Sequence, residues 1–381
     1  MNKHLFHCTK NQSAENILIQ TSSTDYGFIT QNRIEILNLL SGWSAFPLGF
    51  NRHDIIDHVT KLVKNLNYDH PDGYTSSESR KKLSDKLAEM SGGYYSVFGI
   101  SGSDSIETAV YISSLYHSDR KIILSLKYSY HGSTYLCRTA GKNVDNPDYV
   151  KFGKNAEKIF LELLSQQLNE DVSCLIIETC SWLYGLYTYD MSTWTAIRKL
   201  CREKDVLLIV DDIAMCGGKN GSFIGVDIST IQPDIVCLGK AVSGGYFPLS
   251  ATLVHPSIYE KIKNLSFEYG YTYSATISGI ESSLKYIEIL EKENILASVP
   301  AVINKYCAMF DHFKSLGYIK EYRNFGTVFN IILDKDINEQ KLISAGIFCR
   351  PYKNSMLLSF PINSPNPLIE LINQKFLNFF Q

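Results

Sequence analysis

The chain has 381 residues, enough for one large domain with an ample core and a smaller one beside it. Its 45% hydrophobic and 20% charged residues are those of a globular protein and exclude a disordered or fibrous chain. A formal net charge of −2 gives no electrostatic basis for binding nucleic acid or anionic lipid. At the amino end, MNKHLFHCTKNQSAENI holds neither an apolar run of signal-peptide length nor the arginines of a transit peptide. Residues 1–45 hold alternating, short, strand-like segments such as Arg33 to Leu40 and are expected to form part of a small α+β domain. Residues 46–255 alternate short apolar runs with longer amphipathic ones, the pattern of βα units around a buried sheet. Val97 to Ile100, Ile122 to Leu126, Cys174 to Ile177, Val206 to Val210 and Ile235 to Leu238 are the predicted strands. Between them, Ile106, Ala109, Val110 and Ser113 follow helical spacing, as do Trp194, Ile197 and Cys201. Residues 256–381 mix a helix, Ile280 to Glu291, with strands at Val328 to Leu333 and Met356 to Phe360, and are expected to complete the small domain. No apolar run approaches the ~20 residues that span a bilayer. Nine cysteines without a C-x-x-C pair fit reduced, buried thiols, and no metal-ligand spacing is present. A cytoplasmic enzyme of the α/β class is the expectation.

The residues able to do chemistry gather at the strand ends. Ser101-Gly102-Ser103, Tyr130-His131-Gly132, Glu178, Asp211-Asp212 and Gly239-Lys240 all fall at or just past predicted carboxyl ends, the edge where open α/β sheets bind ligands. Lys240 ends an apolar strand, so partial desolvation would lower its pKa and make it a competent imine former; the plain alternative is a lysine leaving a strand for solvent. Asp211 follows Leu207 to Val210 and is expected to be partly buried and paired, or else to cap the next helix. The Ser101-Gly102-Ser103 turn opens a helix whose free N–H groups suit a phosphate, unless Ser103 and Glu107 form an ordinary capping box. Tyr130 offers a stacking face for a ring, or is a surface loop residue.

These residues lie in longer segments with a family likeness. VDDIAMCGGKNGSFIGVDISTIQPDIVCLGKAVSGGYFPLSATL resembles the signature of the class III (ω-type) aminotransferases, FGISGSDSIETAV their phosphate segment, SYHGST their stacking segment and EYGYTYSATISG their H-G-x-T segment. The matches follow family order across most of the chain. The resemblance implies the pyridoxal 5′-phosphate (PLP) transferase fold type I, with a mostly parallel seven-stranded sheet. It implies Lys240 as the lysine that carries the cofactor and Asp211 as the partner of its ring nitrogen. It places Tyr130, His131 and Ile213 against the cofactor, Gly102 and Ser103 on its phosphate, and Glu178 in the network near Asp211. Thr272 would reach the phosphate of the partner subunit's cofactor, because active sites of this family are shared across a homodimer.

LSGWSAFPLGFN, GIFCRPYKNSMLLSFP and the lysine segment are similar to the biotin-pathway branch of that family. That branch implies S-adenosylmethionine as amine donor and 8-amino-7-oxononanoate as keto acceptor. Arg350 would grip the acceptor's carboxylate through a bidentate pair, its plain alternative being a surface ion pair, with Trp43, Tyr130 and Gly270 in the same substrate shell. The chain departs from the branch at His7 to Lys10 (HCTK), Ser44, Ser133 and Lys219, so the cofactor machinery is kept more closely than the substrate shell.

Overall fold

The computed structural model describes residues 20–66, 68, 76–139, 142–144 and 156–381, so the HCTK segment lies outside the described residues. One sheet organises the large lobe: β1 (Tyr95–Gly99), β2 (Ile122–Leu126), β3 (Lys142–Val144), β4 (Val172–Glu178), β5 (Leu207–Asp211), β6 (Ile235–Leu238) and β7 (Ser250–Val254). Their order in space is β1-β7-β6-β5-β4-β2-β3. The pairs from β6 through β3 are parallel, whereas β7 runs antiparallel to both β6 and β1. Strands β4 to β7 are buried along their whole length, which is why most of them read as unbroken apolar runs instead of alternating ones.

All five predicted strands are present, two with the predicted ends and three with ends displaced by one or two residues. The residue pattern does not disclose β3 and β7. Three residues, Lys-Asn-Val, carry too little pattern to be legible. In β7 the polar Ser250 and Thr252 interrupt the apolar signal, yet both are buried. Thr252 is accommodated by Ser105 on the helix beneath, 2.9 Å between hydroxyls, and donates to the Ser105 carbonyl at 3.1 Å.

Helix Gly102–Tyr116 starts at Ser101, whose extended backbone and Oγ cap the Asp104 N–H at 3.1 Å. The cap is therefore Ser101 and not the Ser103–Glu107 box; the Ser103 hydroxyl instead accepts the Ser133 N–H at 3.2 Å. Asp190 caps helix Met191–Glu203, which buries Trp194, Ile197 and Cys201 as their spacing predicts.

The two ends of the chain build the second lobe together. Glu35–Asn38 pairs in parallel with Ile347–Phe348, and Leu37 and Leu39 share a core with Tyr306, Phe310, Phe329 and Phe376. An antiparallel sheet of Glu321–Phe325, Val328–Ile332, Ser355–Ser359 and Arg350–Tyr352 lies in the same lobe. Among the described residues no helix is long and apolar enough to cross a membrane.

Candidate active site

The carboxyl ends of β4 and β5 set two acidic side chains next to each other, because Glu178 and Asp211 are register partners. Asp211 is 6% exposed. Its Oδ2 meets His131 Nδ1 at 2.8 Å and its Oδ1 accepts the Ile213 N–H at 3.1 Å, so its main partner is a histidine and not a helix end. His131 is itself buried, and its Nε2 has no hydrogen-bond partner among the described residues. Glu178 accepts the N–H groups of Tyr130 at 3.3 Å and Trp182 at 3.4 Å. Burial, and then the Asp211 charge, push its carboxyl well above the usual range. Asp212 turns away from this pair, toward Thr179 and Gly225.

Lys240 follows β6 through Gly239 and takes up a left-handed backbone, φ 44°, a strained conformation of the kind that concentrates at functional sites. Its side chain points inward instead of leaving for solvent, with Nζ 3.5 Å from the centroid of the Trp182 ring. Desolvation, and next the ammonium of Lys219, pull its pKa down to about 8. Lys240, Asp211, Glu178, His131, Tyr130, Ile213, Gly102 and Ser103 all line one cavity of about 160 Å³. The structure thus brings together every residue expected at the cofactor except Thr272.

The cavity suits PLP on several independent counts. The first-turn N–H groups of helix Gly102–Tyr116 face the cavity end of the helix without intrahelical acceptors, the setting in which a phosphate binds. A Cβ at Gly102 would fall 2.8 Å from Ile213 Cγ2, so glycine there lets the turn and the β5 end close on each other. Gly132, at φ 124°, lets the stacking loop approach Ser103, where a Cβ would come within 2.2 Å of Oγ. Asp211, with lone pairs left after its two bonds, can accept from a protonated ring nitrogen. The amine of Lys240 is available as anchor.

The expected substrate residues lie farther out. Ser41, Gly42, Trp43 and Ser44 form a left-handed turn, φ 44°, 59°, 63° and 65°. Ser359 pins it, accepting at its carbonyl from Ser41 Oγ at 2.7 Å and meeting Ser44 Oγ at 2.9 Å. Ser44, a departure from the family pattern, is therefore a buried latch. The turn presents Trp43 to Trp182, ring centroids 5.8 Å apart, and Arg350 Cζ lies 5.1 Å from the Trp43 ring. Arg350 makes no ion pair with a described residue. It lines a second cavity of about 710 Å³ together with Trp182, Arg323 and Tyr184. Gly270 and Thr272 are both exposed and line neither cavity; Gly270 borders a third one beside Asp104, and the Thr272 carbonyl accepts from Tyr68 at 3.1 Å.

Two site residues were not legible as such. Trp182 sits four positions past Glu178, and the only signal for it was a large aromatic residue just beyond a strand end. Lys219 is 1% exposed, with Nζ donating to the Cys216 carbonyl at 2.7 Å, and nothing in its glycine-rich surroundings foretold so deep a burial.

Comparison with known proteins leads the same way. A family model described as aminotransferase class III matches residues 9–362. The adenosylmethionine-8-amino-7-oxononanoate aminotransferase of Helicobacter pylori is 25% identical over 401 residues, covering 95% of this chain and 90% of that protein. An uncharacterised aminotransferase of Archaeoglobus fulgidus is 26% identical, but the match spans only 61% of its length. Among solved structures, the Methanocaldococcus jannaschii adenosylmethionine-8-amino-7-oxononanoate aminotransferase superposes with a TM-score of 0.88 at 22% identity, covering 99% of this chain and 96% of that one. An amine transaminase from an uncultivated Pseudomonas species, in its PLP-bound form, gives 0.90 at 21% identity and covers 100% and 99%. The fold is that of the PLP-dependent transferases of fold type I, and since the family model takes in most of its length, this chain belongs to the class III aminotransferases, the PLP-dependent transaminases.

Proposed function

We propose that the protein, working as a cytoplasmic homodimer, moves an amino group from an amine donor to a keto substrate that bears a carboxylate. The donor is S-adenosylmethionine and the acceptor 8-amino-7-oxononanoate in the reading that the names of several relatives support. The observation that carries the proposal is the convergence of Lys240, the Asp211–His131 pair and the Gly102 helix terminus on one cavity, with Arg350 in the next.

PLP bound there supplies an electron sink for the pair left behind when the amine-bearing carbon loses its proton. Lys240 would be the covalent anchor, and its Nζ is the base placed to take that proton and to return it. An amine brought down to about 8 is partly in its free-base form near neutral pH, which this work requires. Asp211, steadied by His131, would accept from the protonated ring nitrogen of the bound cofactor. Tyr130 and Ile213 close on the ring, and the N–H groups of Gly102 and Ser103 hold the phosphate. Glu178 orders Tyr130 and Trp182 by accepting their backbone N–H groups. Thr272 serves the partner's cofactor, while Trp43, Tyr130 and Arg350 form the substrate shell.

The test is a titration of the PLP-loaded protein with S-adenosylmethionine, monitoring the visible absorption of the lysine-linked cofactor. Loss of that band, reversed by adding the keto acceptor, is the expected result. A band that ignores this donor but responds to another amine keeps amino transfer and removes the biotin-type donor. Indifference to every amine overturns the whole reading.

A further inference from the structure

The four residues that present Trp43 stand in a conformation that L-amino acids avoid. Ser41, Gly42, Trp43 and Ser44 make one left-handed turn, and only Gly42 takes it up without steric cost. Such a turn persists where its surroundings over-determine it. Here Ser359 does so. It accepts from Ser41 at its carbonyl and from Ser44 at its hydroxyl, while its N–H donates to the Leu39 carbonyl at 2.6 Å. All three serines are buried, so each bond lost would strand a polar atom away from water. Gly42 adds room for the Phe46 ring, since a Cβ there would fall 2.6 Å from Phe46 Cδ2.

Ser359 ends the strand Ser355–Ser359, and the antiparallel neighbour of that strand begins with Arg350, the register partner of Leu357. One strand therefore fixes both the turn that carries Trp43 and the backbone of Arg350. Their side chains meet, with the guanidinium carbon 5.1 Å from the indole centroid. Arg350 makes no ion pair with a described residue, so an aromatic ring holds it where a carboxylate might be expected. The difference matters chemically. An acidic partner would occupy the N–H fork of the guanidinium, whereas a ring leaves those donors free for an incoming anion.

We propose that Ser44 and Ser359 are positioning residues for Arg350, acting on it through Trp43. The latch keeps the strained turn in place, the turn keeps the indole against the guanidinium, and the guanidinium keeps its fork open toward the outer cavity. The proposal rests on the reading of Arg350 as the group that grips the substrate carboxylate, and adds what aims it.

The experiment measures, by calorimetry on the PLP-loaded protein, the affinity for nonanoate and for uncharged nonanamide, with kcat and KM for a straight-chain keto acid and its amide beside it. Wild type is expected to bind nonanoate about tenfold or more tighter than the amide, a preference that Arg350→Met abolishes. Ser44→Ala and Ser359→Ala should each lose most of that preference and raise KM for the keto acid about tenfold, while kcat and the KM of the amide hold. Ser44→Gly also lacks the hydroxyl but tolerates the left-handed backbone, so it should keep more of the preference than Ser44→Ala. A merely structural role would weaken acid and amide alike. An unchanged preference in loaded Ser44→Ala overturns the proposal; if that variant fails to fold, an unchanged preference in Trp43→Leu does so. A wild type that binds nonanoate and nonanamide equally overturns the carboxylate grip and the proposal with it. Binding is read without turnover, so indifference of the cofactor's absorption to every amine donor would strike the aminotransfer reading alone.

Discussion

Lys240 owes its reactivity to where β6 ends. Its amine, ordinarily near 10.5, is drawn down to about 8, first by loss of water and then by the Lys219 ammonium. Only the free base can attach PLP, so the rate of cofactor loading onto the apoprotein should rise with pH through about 8 and then level off. Lys219→Met removes the like charge, which makes the protonated form of Lys240 less unfavourable and raises its pKa. The midpoint of the loading profile, measured by absorbance after rapid mixing, should therefore move to higher pH; an unmoved or more acid midpoint would show that Lys219 does not act on Lys240. Asp211 works by its charge, not its shape. Asp211→Asn should keep the fold and still load PLP, yet lower kcat by about 10²–10³, the scale found when one preorganised electrostatic partner is lost. A variant within a few fold of wild type would remove Asp211 from the chemistry.

At the scale of elements, Asp212 ties the strand ends to the glycine-rich loop. Its Oδ1 accepts the Thr179 hydroxyl after β4 and its Oδ2 accepts the Gly225 N–H, each at 2.7 Å, while burial pushes the carboxyl up to about 7. Asp212→Ala leaves two buried donors unpaired and should cost about 2–5 kcal/mol, seen as a lower urea midpoint at unchanged m-value. Asp212→Asn, which keeps one acceptor oxygen, should lose less. The same strand ends show what a sequence can disclose. Ile235 to Leu238 was legible to the residue, since a strand covered on both faces must be apolar throughout, and Ile122 to Leu126 was as well, on its four apolar residues around a single Ser125. Ser250–Val254 was not, because Ser250 and Thr252 break its apolar run, and what makes Thr252 tolerable is Ser105, 147 positions away in the chain. Lys240 and Asp211 were legible because each ends an apolar strand. Trp182 and the depth of Lys219 were not, since both depend on how separate loops close over the strand ends. The cap of helix Gly102–Tyr116 lies two residues before Ser103, the alternative cap, for a related reason: Ser103 accepts from Ser133 across the site, and Ser101 caps.

At the scale of the whole molecule, the surface around Thr272 fits the homodimer proposed above. The segment around Thr272 exposes Leu265, Phe267, Tyr271 and Tyr273, an apolar run of the kind that marks an interface. Thr272 does not line the cavity of its own Lys240. If a second copy supplies that threonine, each site contains Lys240 from one chain and Thr272 from the other, and defects in the two should complement. Lys240→Ala disables the site in its own chain, and Thr272→Ala weakens phosphate binding in the partner's site. A mixed dimer of the two variants then carries one site with both defects and one with neither. Co-refolded at equal amounts, the two near-inactive proteins should recover activity equal to about a quarter of the wild-type sites, as random pairing into symmetric dimers requires. Sites contained within single chains would recover nothing on mixing, because no exchange of partners could then bring an intact Lys240 together with an intact Thr272.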